Sequence, residues 1–253
     1  MKCRGPACSV VLVALALVCA SEIAQGQQFN SDSWISKPHG TVTTILTFGE
    51  RQSMWMMTFS LLPGWEFTSA VYLYNHDADL TTSDGYSTSF YFKYMFYENE
   101  AKTGGFAVKG GTGLDPGYID GDYKLKDAGK SYWTNAPITI PFFDNTLSWD
   151  IMPGASVNID YGESKTTKFA FTYSSRLAWY PSSPKFALVA EVFGSEGLNS
   201  SSKYRTGLRW EPDQYTNIAL TYNDNFGGNK LGAGWEIGLM LFSPPFLCLG
   251  GCN

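Results

Sequence analysis

Two sets of charged residues stand at spacings that an extended chain would bring onto one surface. The bases are Lys168, Arg176, Lys185, Lys203, Arg205 and Arg209; the acids are Glu66, Glu191, Glu211 and Glu236. Rows of Lys and Arg favour anions along a pore. Carboxylates interleaved with them would instead pair with the bases and brace a closed, water-poor interior. Other chemistry is thinly represented. His76 beside Asp77, with Ser87 and Ser89 further on, is the one plausible base and nucleophile set, and a hydrolase would need them within hydrogen-bond reach. Asp115, Asp120, Asp122 and Asp127 lie among glycines densely enough to suggest a calcium loop. Their spacing fits no EF-hand, however, and Lys124, Lys126 and Lys130 lie among them. His39 reads as a surface residue ahead of the first strand.

The first 26 residues read as an export signal. Lys2 and Arg4 precede an apolar run from Val10 to Ala20, and Ala24-Gln25-Gly26 supplies the small residues of a cleavage site. That run is too short for a spanning helix, which needs roughly 20 apolar residues. Val18 before Cys19 does not suit a lipid anchor. Removing the signal takes the net charge from −5 to −6, which excludes nucleic acid as a partner. It also removes Cys3, Cys8 and Cys19. Cys248 and Cys252 remain, and a bridge between them would close so short a loop that it stabilises little. With only His39 and His76 beside them, no zinc-type spacing exists. Neither a metal nor a cofactor is expected, and residues 27–253 are expected to form one domain.

What must position the charged residues is a set of strands, because apolar and polar residues alternate along most of the remaining chain. From 168 to 180, Phe169, Phe171, Tyr173, Leu177 and Trp179 alternate with Lys168, Ala170, Thr172, Ser174 and Arg176. Phe186, Leu188, Ala190 and Val192 oppose Lys185 and Glu191 in the same way. Leu208 and Trp210 oppose Arg205, Arg209 and Glu211, and Trp235, Ile237, Leu239 and Leu241 oppose Glu236. Further strands are expected near 41–48, 53–61, 65–74, 86–97, 104–111, 145–151, 155–161 and 216–223, making twelve. No apolar face carries Asp, Glu, Lys or Arg. The polar faces carry the ten residues named first, with Lys93, Lys109, Asp150 and Asp160. Because a charge at a bilayer midplane costs about 2–4 kcal/mol, a face so free of charge is expected to meet hydrocarbon.

Connections also sort by side. Leu62-Pro63-Gly64, Met152-Pro153-Gly154, residues 181–184 and Pro212-Asp213 read as tight turns. Residues 75–85, 112–144 and 194–201 read as long loops, the second containing Pro137 and Pro141. Trp65, Trp149, Trp179 and Trp210 stand near the tight turns on the apolar face, as an interfacial girdle requires. With these features the chain, over about residues 40–243, resembles the outer-membrane β-barrel class, in which short periplasmic turns face long external loops. Lys230-x-Gly232-x-x-Trp235-x-Ile237 resembles the C-terminal signal read by the barrel assembly machinery, although 16 residues follow it; Glu236-x-Gly238-x-x-Leu241 is a second, poorer frame. The resemblance implies a closed antiparallel transmembrane β-barrel in a Gram-negative outer membrane, with membrane lipid, small solutes and the assembly machinery as partners.

The expected function is a passive channel or transport-related barrel for small, anionic or polyhydroxylated solutes, with Lys185, Arg205 and Arg209 governing ion selectivity. Tyr72, Tyr74, Tyr91 and Tyr97 are expected to face inward, where they would stack solutes or fill space. A closed structural or adhesive barrel is the alternative, and a lipid-acting hydrolase built on His76 a more distant one.

Overall fold

A computed structural model describes residues 32–34, 39–74, 85–115, 118–119, 125–126, 129–160, 167–196, 202–227 and 234–246. The strands in chain order are β1 (Thr41–Gly49), β2 (Gln52–Leu62), β3 (Trp65–Tyr74), β4 (Gly85–Glu98), β5 (Gly105–Asp115), β6 (Tyr118–Ile119), β7 (Leu125–Lys126), β8 (Gly129–Asn135), β9 (Ile138–Phe142), β10 (Leu147–Asp160), β11 (Thr167–Trp179), β12 (Phe186–Glu196), β13 (Lys203–Asp213), β14 (Thr216–Asn225) and β15 (Gly234–Phe242). Each wall strand pairs antiparallel with its neighbours, and β1 pairs with β15 from Thr43↔Phe242 to Gly49↔Glu236, which closes the barrel. The two-residue β6 and β7 form a ribbon attached to the start of β4 and stand outside the wall.

Twelve strands make the wall, because β8 and β9 are halves of one. Both pair with β5 on one side and β10 on the other. The interruption between them falls at Ala136-Pro137, opposite Met152 and Pro153. Proline has no N–H to give a ladder, so two prolines at one level locally break the pairing. Ala136 N–H donates to the Pro153 carbonyl (2.9 Å) and Ala107 N–H to the Pro137 carbonyl (2.9 Å), which keeps the wall closed there.

This corrects two expectations. Met152-Pro153-Gly154 is no turn but the middle of the continuous β10, and residues 112–144 are not one loop, because they contain the wall strand β8–β9. The count of twelve survives because one strand was divided and another overlooked. The actual turn before β10 is residues 143–146, where Phe143, Asp144 and Asn145 take φ of 51°, 52° and 66° and Thr146 N–H donates to the Phe143 carbonyl (3.0 Å). Asp and Asn tolerate that left-handed backbone, so the turn needs no glycine.

Alternation holds along the wall. Outward residues are large and exposed: Phe90, Phe92, Phe169, Phe171, Leu188, Leu208 and Ile237 lie between 44% and 73% exposed. Trp65, Trp179 and Trp210 lie at the turn end, with Trp149 close to the 143–146 turn. Most inward residues are small, polar or charged; the exceptions include an apolar patch of Ile45, Met56 and Met240 and the aromatic residues Tyr72, Tyr91 and Trp133. Leu208→Arg, at the middle of the outer belt, is expected to lower stability by about 2–4 kcal/mol, read as the urea midpoint of folding into lipid vesicles. An unchanged midpoint would mean that this face does not meet acyl chains.

Candidate solute site in the barrel lumen

Strand register arranges the inner charges. On adjacent strands Asp150 stands opposite Arg176, Arg176 opposite Glu191, and Glu191 opposite Arg205, an arc of alternating sign across β10 to β13. Arg176 donates to Asp150 Oδ2 from Nε (2.9 Å) and Nη2 (2.6 Å), and Thr139 Oγ1 donates to Asp150 Oδ1. Arg205 reaches Glu236 (2.9 Å) and Glu191 (3.7 Å), and Gln52 donates to Glu236 (2.9 Å). Arg209 Nε lies 2.8 Å from Glu211. Tyr180, in the β11–β12 turn, accepts from Arg209 and donates to Glu211 (3.0 Å). Burial holds the Tyr180 phenol above its ordinary pKa against the pull of Arg209, so it keeps the proton it donates.

On the opposite side the register poses a problem. Lys93 of β4 stands directly across from Lys109 of β5, and Glu66 of β3 across from Lys93. Like charges so placed repel, and one carboxylate does not balance two ammonium groups. The missing counter-ion comes from the chain upstream of β1. Residues 32–34 lie inside the barrel, 1–2% exposed. Asp32 receives Lys93 at 3.3 Å and Lys109 at 3.4 Å, while Glu66 holds Lys93 at 2.6 Å. Trp34 N–H donates to Thr139 Oγ1 (3.4 Å), tying the segment to the Asp150 group. The Trp34 ring rests against Gly105, where a Cβ would collide with it.

Beside this internal segment is a cavity of about 550 Å³. Lys109 and Asp32, Tyr91 and Trp133, Met54, Met56 and Tyr72, and Lys203 and Arg205 border it. Tyr91 and Trp133 stand 5.1 Å apart between ring centroids, and Lys109 Nζ lies 5.5 and 5.7 Å from them. Gly111 makes room for this pair, since a Cβ there would collide with the Tyr91 Cβ, the Phe90 carbonyl and the Trp133 ring.

Of the residues singled out in the sequence, Arg176, Arg205, Arg209, Glu66, Glu191, Glu211 and Glu236 are buried on the inner face. Lys203 is half-buried at the cavity, and Lys168 is exposed at the far end of β11. Lys185 is exposed in the turn before β12, off the inner wall, because the strand starts one residue later. Tyr72 and Tyr91 border the cavity. Tyr97 does not: a register shift after Met95 pairs it with Phe106 and leaves it 61% exposed. The Tyr74 and Asp115 side chains, the export signal, His76, Asp77, Asp120, Asp122, Asp127, Lys124, Cys248 and Cys252 lie outside the described residues. Asp32, Trp34, Trp133 and the two methionines were not singled out. Lys93 and Lys109 were recognised only as polar-face residues, although two lysines on neighbouring strands already call for a further carboxylate.

No family model matches the chain, and no curated protein matches it. Among solved structures, an outer membrane channel described as COG4313, from Pseudomonas putida F1, aligns over 85% of this chain and 99% of its own at 11% identity, with a TM-score of 0.58. A KdgM porin in complex with disordered oligogalacturonate aligns over 79% and 98% at 10% identity, with a TM-score of 0.53. At such identities the likeness is one of architecture: this chain has the closed, antiparallel, twelve-strand fold of outer-membrane β-barrels.

Proposed function

We propose that the protein is a passive channel for small solutes in a Gram-negative outer membrane, exported by means of residues 1–26 and folded with the barrel assembly machinery. The observation that carries this reading is the cavity of about 550 Å³ within a wall whose outer face is apolar. Its similarity in fold to outer-membrane channels supports it. Membrane lipid contacts the outside and solute the inside; no cofactor, nucleic acid or catalytic group is invoked.

The braced interior favours a narrow path. Most inner bases are held by carboxylates, so they set the potential without projecting into the lumen. Lys203 borders the cavity on the same strand as Arg205, whose charge is paired with Glu236 at the cavity wall, and Lys203 supplies the base there without an ion pair among the described residues. Rings or stripes of bases favour anions. Reversal potentials across a salt gradient are therefore expected to show anion preference that falls in the double variant Lys203→Gln, Arg205→Gln. Lys185→Gln, at the rim, is expected to leave it unchanged. Unaltered selectivity in the double variant would contradict this assignment.

A further inference from the structure

Two walls of the cavity are chemically unlike each other. On one, Met54, Met56 and Tyr72 pack against a buried apolar patch of Ile45, Ala70 and Met240. A lumen passing only water and inorganic ions gains nothing from thioethers facing it, whereas flexible, polarisable methionine side chains adapt to apolar ligands. Hydroxyl and amide side chains, among them Gln52, Ser87, Ser89, Asn135 and Asn158, line much of the rest of the cavity, so the apolar contact is concentrated at the methionine wall and the ring pair. On another side is Lys203, which makes no ion pair among the described residues. The Tyr91–Trp133 pair adds a second apolar contact, with the Lys109 ammonium over both rings. The cavity volume lies within the range of about 300–1,000 Å³ that holds one small organic molecule.

Resting on the channel reading above, we propose that the cavity is a binding site for small amphipathic monoanions: aromatic or medium-chain carboxylates. The apolar part contacts Met54, Met56 and Tyr72, and the carboxylate faces Lys203. A ligand lacking either the charge or the apolar body satisfies one wall only and binds more weakly.

The test titrates refolded, detergent-solubilised protein with benzoate, its neutral analogue benzamide, and acetate, followed by calorimetry. Benzoate is expected to bind about tenfold more tightly than either of the others. Lys203→Gln should erase the advantage over benzamide, and Met54→Thr with Met56→Thr the advantage over acetate. Heat-shifted gel mobility checks that each variant is folded. Equal affinity for benzoate and benzamide, equal affinity for benzoate and acetate, or benzoate binding unaltered by Lys203→Gln would each overturn the proposal. Salt currents in planar bilayers separate it from the reading on which it rests. Currents without benzoate binding remove the site and leave the channel; benzoate binding without currents removes the channel and leaves the site.

Discussion

Asp32→Ala should raise single-channel conductance several-fold and strengthen anion preference. Asp32 is the carboxylate that satisfies both Lys93 and Lys109, at 3.3 and 3.4 Å. A hydrogen bond to a charged group contributes about 1.5–3 kcal/mol, and every 1.4 kcal/mol changes an equilibrium about tenfold. Losing both contacts therefore moves residues 32–34 from a strongly favoured internal position to one held by Trp34, its bond to Thr139 and the Lys93 bond to the Ser33 carbonyl (3.3 Å). Two effects combine: the segment no longer narrows the lumen, and the inner face gains positive charge. Exchanging Asp32, Ser33 and Trp34 for glycine together should enlarge the current further, since it also empties the space beside Gly105. Conductance and selectivity both indistinguishable from the parent protein would show that the segment does not lie in the solute path.

Arg176→Ala is expected to have the largest effect on stability, about 3–5 kcal/mol. Arg176 and Asp150 are each 1% exposed and share two hydrogen bonds. Removing the guanidinium strands a carboxylate that keeps only Thr139 as a donor among the described residues and leaves Glu191 with Arg205 as its remaining cross-strand base. Replacing both partners by apolar residues of similar volume abolishes the need for pairing and is often close to neutral. The double variant Asp150→Leu, Arg176→Met should therefore recover most of the loss. Urea unfolding of vesicle-inserted protein provides the measurement. A single-variant loss under about 1 kcal/mol would mean that water already solvates the pair, as it does for exposed ions.

The faces of the sheet were legible in the sequence because alternation is a local property: Phe169, Phe171, Leu208 and Ile237 point out, and Arg176, Glu191, Arg205 and Glu236 point in. Register was not legible. That Asp150, Arg176, Glu191 and Arg205 stand in one row follows from how far each turn offsets its strands, and turn geometry is not written in apolar periodicity. Met152-Pro153-Gly154 misled because Pro-Gly usually reverses a chain; here the proline meets a break at Ala136-Pro137 that supplies no competing ladder. The internal segment was the least legible feature. Asp32-Ser33-Trp34 is too short to show a period, and its place is dictated by two lysines that stand 61 and 77 residues after Asp32. Only the pairing of β4 with β5 makes that charge imbalance visible.

Solute flux across liposomes that contain the refolded wild-type protein tests most directly whether this barrel is a solute path. Vesicles loaded with a concentrated impermeant polymer should swell in small organic anions and much more slowly in large neutral sugars, and faster again with Asp32→Ala. Vesicles carrying the same amount of folded, heat-modifiable protein that swell no faster than protein-free ones, with the parent chain and the Asp32 variant alike, would contradict it.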